Sequence, residues 1–420
     1  MKRLLLLTGC FVIMQSLAAQ LLTWTPDFPK DNDNISITVD ATKGNQGLQN
    51  YNPVTDVYVH TGVITNLSTS ATNWRYVKFN QNFNTPNPLL QAISLGNNKW
   101  KFDITNIRAY YGVPAGETIL KIAILFRNGN GQVVQRNANT DDMYVPVYEN
   151  SLAVRFTIPP FQPLFTPLPE PINKNTGDNI AVTAISSQTA SLKLYLNGNV
   201  IQTAAAAQTI SANPVLTAVG NTEIVAEAVD GSTIKKDTLR FFVAPVIVTA
   251  ALPPGVRDGI NYEAGNTSAV LVLYAPGKSR VSVIGEFPGS NWIEQASYVM
   301  NKTPDGNYWW LRIQGLTPGT EYAFQYLVDG TLKVGEPYAE KILDPNNDAE
   351  VIASGVYPGL KSYPANGVTS GLVSILQTAA PAYNWDVTNF NRQIKEIFLF
   401  MNCCCVILLL RIAGTLCAIR

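Results

Sequence analysis

Cysteine and histidine are nearly missing from this sequence. Its 420 residues contain one histidine, His60, and five cysteines, Cys10, Cys403, Cys404, Cys405 and Cys417. From Gln20 to Asn402 there is no cysteine, so neither a disulfide nor a cysteine–metal site can form there. A lone histidine excludes His-rich zinc sites and ties any Ser-His-Asp triad to His60. Charge is scarce as well. Charged residues make up 14% of the chain, against ~25% in typical globular domains. The 30 basic and 30 acidic residues cancel, which leaves no net field for phosphate backbones, and nucleic acid is not an expected partner.

What is present is polarity without charge. Asn, Thr, Ser and Gln stand beside 29 Gly and 26 Pro, the make-up of a secreted all-β chain rich in turns. At ~100–200 residues per domain the length allows two to four domains. Lys2 and Arg3 precede an apolar run from Leu4 to Met14, and small residues follow at Ala18 and Ala19. This predicts a signal peptide over residues 1–19. Leu7-Thr8-Gly9-Cys10 imitates a lipoprotein box, but only Leu4 to Leu7 precede it and the apolar run continues to Met14.

Beyond residue 20 the dominant pattern is period two. Ile35-Ser36-Ile37-Thr38-Val39 and Val57-Tyr58-Val59-His60 read as half-buried strands. Others are expected at 76–79, 100–104, 119–126 and 133–135, separated by turns such as Gly129-Asn130-Gly131. These make a first module, 20–150. Six prolines between Pro159 and Pro171 forbid a central strand, so 151–178 reads as a linker or an edge. Strands at 180–185, 190–196, 223–229 and 238–243 form a second module, 179–245, with immunoglobulin-like spacing. Pro253 and Pro254 precede a third, 255–353, with strands near 268–273, 280–285, 308–313 and 321–328. The expected fold class is all-β: tandem immunoglobulin-like β-sandwich modules joined by Pro-rich linkers, with an irregular C-terminal tail. No segment before Phe390 has helical periodicity, and no eightfold alternation of strand and helix appears, which excludes a (β/α)₈ barrel.

In the third module Val281-Ser282-Val283-Ile284-Gly285-Glu286-Phe287-Pro288-Gly289-Ser290-Asn291-Trp292 is followed in order by several further signals. They are Met300, Asp305-Gly306-Asn307-Tyr308-Trp309, Gly315-Leu316, Pro318-Gly319, Tyr322, Phe324, Tyr326 and Val328-Asp329-Gly330. The order resembles the immunoglobulin-like module, related to carbohydrate-binding module family 48, that precedes the barrel in many α-amylase family enzymes (glycoside hydrolase family 13). Glu286 and Pro288 alter that module's usual Gly-Asp-Phe-Asn-x-x-Trp core. From the residues alone, Tyr322, Phe324 and Tyr326 make one aromatic strand face. Trp309 and Trp310 are adjacent on a strand and face opposite ways, so at most one fills this core.

Glu336-Pro337-Tyr338, Asp344-Pro345-Asn346 and Tyr357-Pro358 are similar to the linker that leads into the barrel in secreted bacterial members of family 13, so 354–391 reads as a linker and a barrel strand is due next. Instead the tail runs Phe398-Leu399-Phe400-Met401-Asn402-Cys403-Cys404-Cys405-Val406-Ile407-Leu408. A transmembrane span would need roughly 20 apolar residues, and Asn402 and Arg411 interrupt this run, so no span is expected. The genetic code supplies another reading. Met is ATG, Asn is AAY and Cys is TGY. Joining each third base to the next two gives GAA, glutamate, and then YTG, leucine, for Cys403, Cys404 and Cys405 in turn. Flanking triplets allow tyrosine before and arginine, aspartate and phenylalanine after. The hidden Tyr-Glu-Leu-Leu-Leu-Arg-Asp-Phe is similar to the first barrel strand of family 13 enzymes, and the same frame extends back to Arg392. Residues 392–420 therefore read as out of frame, with disorder or an arbitrary short helix expected.

In the first module Trp24, Trp74 and Trp100 accompany Tyr58, Tyr76, Tyr110 and Tyr111 among many Asn and Thr side chains. Flat aromatics stack on the C–H faces of sugars, and amides hydrogen-bond hydroxyls with no charge to desolvate. Val57-Tyr58-Val59-His60-Thr61-Gly62, Trp74-Arg75-Tyr76-Val77 and Trp100 resemble starch-binding sandwich modules of outer-surface bacterial starch systems. The candidate carbohydrate-binding residues are Trp74, Tyr76, Tyr58, His60 and Trp100, with Trp292 and Trp310 in the third module. Core packing is the alternative for the tryptophans. For His60, which shares with Tyr58 the strand face opposite Val57 and Val59, the alternative is a plain surface position. Asp27, Asp31 and Asp33 offer oxygen ligands without the twelve-residue calcium loop, so a solvated loop is expected there, and no metal or cofactor is invoked.

The resemblance implies α-glucan-binding and -positioning modules, secreted to the periplasm or outer surface of a bacterium. They would be the front end of a family 13 glycosidase whose catalytic barrel, against which they would pack, is absent. That family's carboxylate pair sits on barrel strands, so no catalytic residue is assigned and no hydrolysis is expected of this chain. The rival reading is a structural or adhesive cell-surface protein of immunoglobulin-like modules without sugar specificity. Exposed aromatics on the first module favour binding, and burial of all three of its tryptophans favours the rival.

Overall fold

Strands account for nearly all regular structure in the computed structural model, which describes residues 20–80, 83–357, 359–365, 367–382, 408–412 and 415–419. The expected signal peptide and the frame boundary near Arg392 lie outside the described residues. The chain divides into two compact units, Met1–Thr378 and Ala379–Arg420. No helix among the described residues is long and apolar enough to cross a membrane.

The first module contains β1 (Leu22–Thr25), β2 (Ile35–Asp40), β3 (Val57–Thr65), β4 (Ile93–Gly96), β5 (Lys99–Ile104), β6 (Ile119–Asn128), β7 (Val134–Gln135) and β8 (Met143–Pro146). One sheet runs β1-β2-β5-β4; in the other, β6 pairs with β3, β7 and β8. Alternation closes the sandwich, because Ile37, Val39, Trp100 and Phe102 on one sheet share a core with Val57, Val59, Ile122 and Phe126 on the other. A short helix, α1 (Ile107–Tyr111), is capped by the Asn106 side chain, which accepts from the Ala109 N–H at 3.0 Å, and it ends on left-handed Gly112. The strand expected at 76–79 does not form. Tyr76 and Phe79 take positive φ values of 51° and 59°, outside the extended region.

The second module contains β9 (Val154–Ile158), β10 (Phe161–Gln162), β11 (Leu168–Pro169), β12 (Lys174–Asn175), β13 (Val182–Leu196), β14 (Asn199–Ala212), β15 (Gly220–Asp230) and β16 (Thr233–Ala244). The sheet order is β12-β16-β15-β13-β14, with β9 also on β13. Residues 151–178 are thus more than a linker. Val154 to Ile158 precede the first proline and keep their N–H groups, so they can pair with β13. β13 fuses two expected strands through a register shift between Ile185 and Ala190, and both halves feed one core.

The third module contains β17 (Gly259–Tyr262), β18 (Ser268–Tyr274), β19 (Val281–Gly285), β20 (Asn301–Lys302), β21 (Tyr308–Gln314), β22 (Glu321–Val328), β23 (Leu332–Val334), β24 (Ile342–Leu343) and β25 (Val373–Gln377), with a helix α2 at Asp348–Ala353. Sheets β17-β18-β21-β20 and β19-β22-β25-β24 enclose Leu271, Val283, Phe287, Trp309, Phe324 and Tyr326. This corrects the linker expected at 354–391. Val373, Ser374, Ile375 and Leu376 are all buried, and β25 completes the second sheet between β22 and β24.

In the tail, β26 (Leu408–Ile412) and β27 (Thr415–Ile419) pair antiparallel, where disorder or a short helix was expected. The chain is all-β, built of tandem immunoglobulin-like β-sandwich modules.

Candidate functional site

Period-two geometry sends Tyr58, His60 and Ile64 of β3 away from the sandwich core, opposite Arg127, Leu125 and Lys121 of β6. The chain after β3 folds back over this outer face. Val63 and Arg75 exchange backbone hydrogen bonds of 2.9 and 2.7 Å. Gly62 permits the approach, since a Cβ there would lie 3.0 Å from the Arg75 carbonyl oxygen and 3.1 Å from Val77. Trp74 then stacks on His60, with ring centroids 5.4 Å apart and planes 25° apart, while Phe83 meets His60 edge-on at 5.2 Å. The Arg127 guanidinium lies 5.9 Å from the Tyr58 ring and 5.1 Å from Phe83.

The structure therefore gathers Tyr58, His60 and Trp74, all half-buried. For His60 it replaces the plain surface position with a ring sandwich. Burial lowers the His60 pKa below its usual value; Arg127 and Arg136 add to the shift and Asp142 opposes it. With the folded value depressed, the unfolded chain takes up the proton first, so stability present above about pH 6.5 declines as the pH falls through that value. Chemical denaturation between pH 7.5 and 5 is expected to show that decline, with a limit of about 1.4 kcal/mol per pH unit for one proton. His60→Gln should flatten the profile; an unchanged profile would place the titration elsewhere.

Tyr76 belongs to a different cluster. Its hydroxyl donates to Glu117 Oε2 at 2.6 Å, Arg75 Nε reaches Glu117 Oε1 at 2.6 Å, and Thr65 Oγ1 donates to the same carboxylate. Arg75 foremost, helped by the two hydroxyls, holds the Glu117 carboxyl down at about 2. This ties the Trp74-Arg75-Tyr76 segment to the loop before β6.

For Trp100 the core alternative holds, and it leaves the list of candidate binding residues. It is 1% exposed, and its indole N–H donates to the Val54 carbonyl at 2.9 Å. β5 alternates Lys99, Lys101 and Asp103 with Trp100, Phe102 and Ile104, and the second set faces the core. In the third module, Trp309 fills the core. Trp310 faces the other way, half-buried, with its indole N–H on the Ala250 carbonyl at 3.0 Å. Trp292, at φ 64°, packs on a small cluster with Leu343 and Val373. Glu286 accepts from the Ala323 N–H at 3.1 Å and pairs with Lys361 at 3.1 Å, which are structural tasks.

A cleft of about 310 Å³ that the sequence did not signal lies between the first and second modules. Trp24, Lys121, Tyr148, Arg155, Phe161 and Asp237 are among the residues that line it. Arg155 Nη2 pairs with Asp27 at 2.7 Å, and its guanidinium covers the rings of Trp24 at 5.3 Å and Phe28 at 5.6 Å. The acidic trio is dispersed: Asp27 goes to Arg155, Asp31 to Arg108 at 2.7 Å, and Asp33 to the Lys30 N–H at 2.8 Å. Among the described residues no group of three His, Cys, Asp or Glu side chains is placed to hold a metal ion.

The chain matches no protein-family model and no curated protein sequence. Solved structures similar to it include the fibronectin(III)-like modules of Clostridium thermocellum CbhA, 22% identical over 18% of this chain and 86% of that one, with a TM-score of 0.15. The Group B Streptococcus pullulanase SAP is 14% identical over 41% of this chain and 24% of its own, TM-score 0.17. Klebsiella pneumoniae PulA is 12% identical over 71% of this chain and 31% of its own, TM-score 0.17. The match therefore spans less than a third of either of these two longer chains.

Proposed function

We propose that this chain is a secreted, non-catalytic segment that binds α-glucan and forms the front part of an α-amylase family glycosidase. The observation that supports it most is the outer face of the β3–β6 sheet. A solvent-facing sheet face ordinarily carries polar side chains; this one carries Tyr58 and His60, and Trp74 of the returning chain, half-buried, stacks on His60 and packs on the buried Ile64, Ala123 and Tyr144. Exposed Asn66, Thr69, Thr72 and Asn73 lie beside Trp74 along the chain. An indole backed by a stacked imidazole is a rigid platform for a sugar ring, and the amides and hydroxyls suit its rim. Trp24 and Trp74 stay partly exposed while Trp100 is buried, so the condition that favours the adhesive reading, burial of all three, is not met. The ordered motif from Val281 to Gly330 adds to the same reading.

The test is retention of the full chain on insoluble starch, with cellulose as control. Trp74→Ala is expected to weaken retention at least about tenfold, a loss of about 1.4 kcal/mol. Undiminished retention would move the site off this face. Failure of the wild-type chain to bind starch would favour the adhesive protein.

A further inference from the structure

We infer that the cleft between the first and second modules is a second carbohydrate site, one that takes the neutral end of a short glucan chain. It rests on the reading of the chain as a glucan binder and deepens it.

The cleft exists because the proline-rich segment after β9 acts as a third wall. Pro159, Pro160, Pro163 and Pro167 have no N–H to leave unsatisfied, so the segment can lie against both modules at little cost. It is anchored to the first module where the Pro163 carbonyl accepts from the Tyr144 N–H at 2.8 Å, and it folds on itself where the Glu170 N–H donates to the Pro160 carbonyl at 2.8 Å. Phe161 lines the cavity from this wall, facing Trp24 and Tyr148 among the other lining residues. A volume of about 310 Å³ is at the lower end of the roughly 300–1,000 Å³ of small-molecule pockets, which suits a chain end and not a polymer stretch.

Polar groups in the cleft have capacity left over. The Lys121 ammonium lies 5.2 Å from the Phe165 ring, and burial lowers its pKa with no carboxylate beside it to oppose the shift. Arg155 Nε is buried without an acceptor among the described residues. Asp237 accepts two backbone N–H groups, from Phe156 at 2.8 Å and Thr238 at 2.9 Å, and has lone pairs to spare. Two unfilled cationic donors and a carboxylate acceptor, set among aromatic walls, match a ligand that both donates and accepts through hydroxyls and shows C–H faces. Charge balance selects a neutral one. Arg155 is paired with Asp27, and Lys121 is matched in number by Asp237 elsewhere in the lining, so an added carboxylate would leave a net negative site.

Calorimetric titration of the full chain with maltotriose, beside starch retention, tests this. Lys121→Met, close in shape and without the donor, is expected to weaken maltotriose binding at least tenfold. Phe161→Ala, on the proline-rich wall and off the β3–β6 face, should weaken it likewise while starch retention through Trp74 persists. If maltotriose binding survives both substitutions and is lost with Trp74→Ala, the cleft is not a site and the glucan reading stands. If wild-type chain is retained on starch but binds a glucuronate-terminated oligosaccharide in a Lys121-dependent way and not maltotriose, the neutral class is overturned. If it binds neither starch nor maltotriose, the glucan reading falls and this inference falls with it.

Discussion

Trp100→Ala is expected to destabilise the first module by about 3–5 kcal/mol, the range for removing a fully buried tryptophan. Typical domains hold only about 5–15 kcal/mol in total, so much of this module would unfold. Two effects add. The cavity opens between Ile37, Val39 and Phe102 on one side and the β3–β6 sheet on the other, and the Val54 carbonyl loses its indole donor. Starch retention should fall with it, but only together with a cooperative loss of near-UV circular dichroism. Trp74→Ala, on the outer face, should lose retention and keep that signal. If Trp100→Ala kept the folded signal and lost binding alone, Trp100 would have to face the ligand and the assignment of the two faces would be reversed.

The core side of β5 was legible in the sequence. Lys99-Trp100-Lys101-Phe102-Asp103-Ile104 alternates so regularly that the apolar set must share one face, and β5 forms as expected. β2 and β22 were readable on the same ground. β14 was not. Its fourteen residues include Thr203-Ala204-Ala205-Ala206-Ala207-Gln208, with no apolar alternation, because β14 is an edge strand with most side chains exposed. The one local signal is the turn Asn197-Gly198, with φ of 48° and 82°, which joins Leu196 to Asn199 as a hairpin. β9 was hidden by the prolines behind it, and β25 by the irregular stretch before it. The site was legible only in part. Tyr58 and His60 could be placed on one strand face, but the stacking of Trp74 over them depends on a backbone return at Gly62 that no spacing rule reveals. The cleft was illegible for a stronger reason. Lys121, Arg155 and Asp237 come from β6, β9 and β16, and only tertiary packing brings them to one cavity.

The other large effect is expected at the junction of the second and third modules. Arg280 Nε and Glu294 Oε1 are 2.9 Å apart, and their side chains are 4% and 7% exposed. Ser282 Oγ donates to the same carboxylate at 2.5 Å, and the guanidinium lies 5.9 Å from the Phe242 ring of β16. A buried pair contributes little relative to apolar residues of similar size, because desolvation offsets the Coulomb attraction, but removing one member strands the other. Glu294→Ala should therefore cost about 3–5 kcal/mol by leaving the Arg280 guanidinium buried without its partner. Arg280→Met combined with Glu294→Leu should recover most of that loss. A double-mutant cycle followed by urea denaturation measures the difference directly. If the double substitution is as damaging as Glu294→Ala alone, the pair supplies more than charge compensation, and the contact between Arg280 and Phe242 becomes the term that holds the two modules together. If both variants lie within about 1 kcal/mol of wild type, water reaches the pair, and the junction is looser than the burial of Arg280 and Glu294 requires.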